Sequence, residues 1–196
     1  MSRGVILSIV GIAIFMGASY ASPTAYSCAE IDGAKPQRLL EYIQGDRPTL
    51  KLGCVVLALQ RLNHYPPAVK ALIKYLDYAV PEDPSRAHGP TIARIPTVGE
   101  RYPAVTSLFE IGRPAAPDLV TAIGEESTSE VARGNAIETL FEIYSGNLAE
   151  AVALLHRASV RASGTRSEYL LLDSARNLAG KCRGDGVNAC LKALER

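Results

Sequence analysis

The sequence predicts an all-α chain built as an α-solenoid of stacked helix pairs, on three observations. From residue 35 onward the apolar residues recur at three- and four-residue steps, and no period-two run is long enough to make a useful strand. Pro and Gly fall where those runs begin and end. Residues 113–146 write out one complete helix pair: Pro114 and Pro117 open a short apolar helix with Leu119, Val120 and Ile123, Gly124 closes it, and a polar turn leads into a second helix from Glu130. Two such helices cannot bury both faces by themselves, so the pair implies neighbours on either side.

Residues 1–21 read as a signal peptide: Arg3 supplies the positive start, residues 5–18 an apolar stretch shorter than the roughly 20 residues needed to span a bilayer, and Ser19, Tyr20 and Ala21 a small-residue cleavage pattern. A lipid anchor on Cys28 is disfavoured, because Ala25-Tyr26-Ser27 does not resemble a lipobox. Cleavage would leave a polar leader, residues 22–34, and a single helical domain, residues 35–196. Loss of Arg3 takes the formal charge from +1 to zero. A neutral mature chain has no global electrostatic reason to seek nucleic acid, and no membrane span is expected once the signal is removed. The expected location is periplasmic or secreted.

The elements follow in order. Over residues 35–45, Leu39, Leu40 and Ile43 share one helical face, and Gly45 ends the run. Pro48 suits a first turn, and Leu52, Val55, Val56, Leu59 and Leu62 continue a stripe to the break at Tyr65-Pro66-Pro67. Pro67 opens a third helix with Val69, Leu72, Ile73 and Leu76, terminated by Pro81. The pattern vanishes over residues 80–101, where Pro81, Pro84, Pro90, Pro96, Gly89 and Gly99 exclude a regular helix. A loop of that length in a small domain is uncommon and is often functional. Its Arg86, His88, Arg94 and Arg101, with the adjoining Tyr102, are the candidate partner-binding residues; a solvated insertion is the simpler reading. Pro103 restarts helix with Val105, Leu108 and Phe109, closed by Gly112. Ser127 with Glu130, Asn147 with Glu150, and Thr165 with Glu168 have capping-box spacing.

Four cysteines, Cys28, Cys54, Cys182 and Cys190, remain after cleavage, and an exported chain meets oxidising conditions. Of the three pairings, Cys28 with Cys54 and Cys182 with Cys190 is expected, because each bond then ties one end of the stack to itself. Chain-entropy arithmetic assigns about 3.5 kcal/mol to the first loop and about 2.5 kcal/mol to the second. No C-x-x-C spacing points to redox chemistry or zinc.

Internal repetition supports the stack. A shift of 81 residues matches Gly53 to Gly134, Val56 to Ile137 and Leu59 to Leu140, and a shift of 38 puts Ile137 on Ala175 and Leu140 on Leu178. With Ala115-Ala116-Pro117-Asp118-Leu119 opening one helix and residues 130–140 the next, residues 113–146 resemble a bacterial HEAT-like repeat, in a degenerate form over residues 35–178. The resemblance implies a HEAT-like or armadillo-type superhelix, in which an arginine at Arg133 and small residues near Ala136 help adjacent repeats to pack. The insertion at residues 80–101 and the cysteines of the first and last pairs depart from that pattern.

Chemistry is sparse. His64, His88 and His156 are scattered, without metal-ligand spacing, and no His-Glu dipeptide of the kind some HEAT-like enzymes use for iron is present. There is no G-x-S-x-G and no phosphate-binding Gly-rich loop. Glu125 with Glu126, and Glu138 with Glu142, read as solvated surface. Arg183-Gly184-Asp185 inside the Cys182 to Cys190 loop resembles an integrin-binding tip, but reads more simply as a helix stop followed by a turn before a helix from Asn188. The expected function is therefore an exported scaffold, not an enzyme, with no catalytic residue, metal or cofactor. It would bind an unidentified protein through its concave helix face and the 80–101 loop. The alternative is a cofactor-handling protein of lyase or maturation type, with a pocket near Arg94, Arg101 and Tyr102.

Overall fold

The structure, a computed structural model, describes residues 28, 29, 31–45, 51–80, 97–184 and 186–195. The expected signal peptide, Pro48, Pro81 and most of the 80–101 loop lie outside them. Among the described residues there are ten α-helices and no strand. They are α1 (Pro36–Gln44), α2 (Leu52–Arg61), α3 (Val69–Ile73), α4 (Val98–Arg101), α5 (Pro103–Ile111), α6 (Ala116–Gly124), α7 (Glu130–Ile143), α8 (Leu148–Arg161), α9 (Arg166–Gly180) and α10 (Gly186–Ala193).

Local chemistry explains most of the boundaries. Pro36 and Pro103 occupy first-turn positions, where a missing N–H costs nothing. The 3-10 turns Pro66–Ala68 and Arg113–Ala115 lead into α3 and α6. Gly112 stops α5 with φ 75° and ψ −143°, a conformation for which glycine is the fitted residue. On α7, Ser129 accepts a hydrogen bond from the Ala132 N–H at 3.2 Å, and its own hydroxyl donates to Asp77 at 2.9 Å. The cap is thus Ser129 and not Ser127, whose hydroxyl donates to Glu125. Asn147 precedes α8 without a side-chain capping bond, and Glu150 pairs with Arg113 instead of turning back to the N-cap. Thr165 does accept from the Glu168 N–H at 3.4 Å, while Glu168 reaches one residue further back, to the Gly164 N–H at 2.7 Å.

Three other expectations are corrected. The third helix ends at Ile73, well short of Pro81, and its stripe continues through turns that still bury Tyr75 and Leu76. The last turn of the 80–101 segment is helical: Thr97 and Glu100 form a capping box that starts α4. The T-x-x-E signal was present in the sequence, but the surrounding prolines masked it. Phe109, assigned to the apolar stripe of α5, is 40% exposed, because α5 turns Val105, Leu108 and Ile111 inward instead.

The helices pack in consecutive pairs, α1 with α2, α3 with α5, α6 with α7 and α8 with α9. The first three pairs meet like to like, α1, α3 and α6 in one row and α2, α5 and α7 in the other, whereas the last pair sits across the rows, with α9 packed, among the earlier helices, chiefly on α6 and α10 laid on α8 and α9. One continuous apolar core runs through them, with Leu39, Leu59, Leu72, Leu108, Leu119, Leu140, Leu155 and Leu178 all essentially inaccessible. Burial of this kind contributes roughly 1.5–3 kcal/mol per large side chain.

Buried polar side chains join successive pairs by satisfying carbonyls near helix ends. The Tyr75 hydroxyl donates to Ile43 O, the Ser107 hydroxyl to Leu59 O and the Asn135 amide to Leu76 O, each at 2.6 Å. Arg133 works within its own pair, donating to Ile123 O, Glu125 O and Thr128 O across the α6–α7 turn. The 81-residue shift survives in three dimensions. Residues 53–59 and 134–140 share one burial sequence, exposed at Gly53 and Gly134, buried at Cys54-Val55 and Asn135-Ala136, and buried again at Ala58-Leu59 and Thr139-Leu140. The 38-residue shift is less faithful, placing half-buried Ile137 on fully buried Ala175.

Both expected cysteine pairs are bonded, with Cα separations of 5.5 Å for Cys28 to Cys54 and 6.7 Å for Cys182 to Cys190. Helix α10 begins at Gly186, two residues before the expected start, which places Cys190 in its second turn instead of its first.

Candidate functional site

The segment singled out as a contact element is closed at its base. The Val80 N–H donates to Arg101 O at 2.8 Å, so the chain leaves and re-enters the helical body at one place. Arg86, His88 and Arg94 lie outside the described residues. Arg101 and Tyr102 are at the neck: Arg101 is exposed in the last turn of α4, and its guanidinium carbon lies 5.7 Å from the centroid of the half-buried Tyr102 ring.

A recess of about 640 Å³ lies elsewhere, between α6, α8 and the start of α9, and neither Arg101 nor Tyr102 lines it. Val120, Leu154, Ala158 and Leu171 supply its apolar wall, and Glu125 and Arg161 its charged edge. Gly124 makes the close approach of α6 to α9: a Cβ there would meet the Leu171 side chain at 3.0 Å. Sequence reading missed this recess, since its lining comes from three helices and its apolar members each belong to an ordinary core stripe.

Polar clusters elsewhere serve the packing. Arg113 grips Glu150 through both guanidinium nitrogens, at 3.2 and 2.8 Å, and lies 5.2 Å from the Tyr144 ring centroid. Burial, and then the nearby Glu150 carboxylate, push the Tyr144 phenol above its ordinary value, with Arg113 opposing them. Glu138, read as solvated, is half-buried and accepts from Lys181 at 2.8 Å, with the ammonium 4.6 Å from the Phe141 ring centroid. Glu125, Glu126 and Glu142 are exposed as expected.

Among the described residues no three His, Cys, Asp or Glu side chains gather where they would hold a metal ion. His64 is exposed, and the buried Nδ1 of His156 has no hydrogen-bond partner among the described residues. Arg183 folds back to donate to Gly180 O and Cys182 O, and Gly184 takes φ 55°, as a helix stop requires; Asp185 is outside the described residues. No described helix is long and apolar enough to cross a membrane. No protein-family model, curated protein sequence or solved structure matches this chain.

Proposed function

We propose that this chain is a short exported α-solenoid of HEAT-like type that binds another protein through a helix face together with the 80–101 loop. The observation that carries the reading is the like-to-like order of contacts over the first three pairs, α1–α3–α6 beside α2–α5–α7, which is how repeated helix pairs propagate. Polar donors that reach back to carbonyls of a preceding pair fit the same principle. Two bonded cysteine pairs suit an oxidising compartment such as the periplasm or the extracellular space.

The binding role rests on what stacked helix pairs usually do, display an extended surface, and on the exposed Phe109, Val131 and Tyr169 carried by α5, α7 and α9. The test is capture from periplasm or culture fluid with the mature chain, run beside two variants. One replaces residues 81–96 with a Gly-Ser linker across the closed neck, and the other carries Arg101→Ala with Tyr102→Ala. A partner held by the parent and lost from both variants is the expected result. Equal capture by all three removes the loop from the reading, and no specific partner in any of them sinks it. Export is tested by fusing residues 1–25 to a reporter: transport with cleavage near Ala21 is expected, and an uncleaved N-terminus would refute it.

A further inference from the structure

Resting on that protein-binding reading, we propose that the partner is held at the adjacent C-terminal ends of α5 and α7, and that this face takes an extended basic segment with two Lys or Arg side chains about three residues apart.

The face is written twice in the chain. A shift of 32 residues sets Ala104-Val105-Thr106-Ser107-Leu108-Phe109-Glu110-Ile111 on Ala136-Ile137-Glu138-Thr139-Leu140-Phe141-Glu142-Ile143, with Leu-Phe-Glu-Ile identical in both. Packing explains the first part of the match, since Ala104, Ser107 and Leu108 are buried on α5 as Ala136, Thr139 and Leu140 are on α7. It does not explain the Phe-Glu step. Phe109 is 40% exposed, Phe141 is half-buried, and Glu110 and Glu142 face solvent. Each glutamate sits in the last turn of its helix, where the unpaired carbonyls already make the field negative and neither helix supplies a basic residue. A carboxylate in that place costs stability, so its repetition beside an exposed aromatic ring points to a cation supplied from outside.

The two ends lie together. Helices α5 and α7 pack on each other, and Arg113, just beyond α5, lies 5.2 Å from the ring centroid of Tyr144, the residue that follows α7. That arginine is committed to Glu150 through both guanidinium nitrogens, and neither Glu110 nor Glu142 makes an ion pair or hydrogen bond to a described residue. The chain itself shows how such a face holds a cation: the Lys181 ammonium is 2.8 Å from the Glu138 carboxylate and 4.6 Å from the Phe141 ring centroid. One helix along, Phe109 has Glu110 beside it and no cation of a described residue over its ring. Packed helices stand about 8–10 Å apart, and a polyproline II segment returns to the same side after three residues, about 9 Å on. Cations at i and i+3 of such a segment therefore reach Glu110 and Glu142 together, the first laying its aliphatic stem on Phe109. The same negative field repels nucleic acid and anionic lipid.

The experiment pans random peptides of about twelve residues against the purified mature chain, with counter-selection on a triple variant carrying Phe109→Ala, Glu110→Gln and Glu142→Gln, and measures an enriched peptide by fluorescence anisotropy. Enriched sequences should carry Lys or Arg at i and i+3, and their binding should weaken as salt rises. Glu110→Gln and Glu142→Gln should each weaken binding about three- to tenfold, whereas Glu126→Gln, in the exposed turn between α6 and α7, should leave it unchanged, all with unchanged circular dichroism. Enrichment of acidic or uncharged sequences overturns the proposal. So does failure to enrich any sequence over the triple variant, or a peptide that is indifferent to Glu110→Gln and Glu142→Gln or senses Glu126→Gln equally. If the partner captured by the parent binds the triple variant at full strength, the face is wrong and the wider reading stands. If neither peptide nor partner binds, both fall.

Discussion

The first and last helices of the bundle are each clamped by a disulfide, yet the clamps do different jobs. At the start, Cys28 to Cys54 spans 26 residues and pulls a non-helical leader over the open flank of α1 and α2. Ile31, in that leader, is fully buried, and Arg61 of α2 fixes it by donating to Ile31 O and to Asp32, both at 2.9 Å. At the other end, Cys182 to Cys190 spans 8 residues and joins α9 to α10, a regular helix that already rests on α8. Among its described residues the leader has only turn bonds of its own, Ile31 and Asp32 N–H to Cys28 O and Ala34 N–H to Ile31 O, and leans on its crosslink and one anchor, whereas a helix brings a full ladder and an apolar face. The first end should therefore be the more sensitive to reduction.

The largest expected effect is removal of the first clamp. Cys28→Ser with Cys54→Ser should cost about 3.5 kcal/mol by loop-closure entropy alone, read by denaturant unfolding, with amide exchange rising first in α1 and α2. Ile31→Ala comes next, at about 2–4 kcal/mol for a fully buried side chain that leaves a cavity. A loss under about 1 kcal/mol would mean that the leader is not seated in the core. Cys182→Ser with Cys190→Ser should cost less, about 2.5 kcal/mol, with exchange confined to α10 and the end of α9. An equal or reversed order of the two disulfide variants would break the comparison. Leu191→Ala, on the 52% exposed side of α10, should change stability by no more than about 0.5 kcal/mol. Such a null result would sharpen the contrast with Ile31.

A smaller effect concerns the middle helices, which have no crosslink. Tyr144 holds its proton more tightly folded than unfolded. At alkaline pH the unfolded chain loses that proton first, so the contribution of Tyr144 to stability is complete below the ordinary phenol value near 10 and is lost as pH rises through the folded value. Phenolate absorbance of the parent, compared with Tyr144→Phe, should show one late-titrating tyrosine. Its absence would argue that the α7–α8 junction is open to water.

Legibility followed the range of the interaction. Leu39, Val55, Leu72, Leu108, Leu119 and Leu140 were placed in the core from spacing alone, because a helix repeats its buried face every three to four residues whatever lies beyond it. Caps were less legible. Ser127 and Ser129 both precede α7, and Asp77, a residue 52 positions away from Ser129, reinforces the choice. Glu150 and Glu138 had the composition of surface residues and became interhelix partners of Arg113 and Lys181, across 37 and 43 residues.

By itself the sequence determined most of the helices, their pairing along the chain, the cysteine partners and the 81-residue repeat of burial, since each depends on local periodicity or on proximity along the chain. Tertiary structure decided which polar groups meet, where α4 closes the neck of the 80–101 segment, and that α6, α8 and α9 leave a recess edged by arginine. Those features arise where helices distant in the chain converge, and no stretch of sequence contains all of the atoms involved.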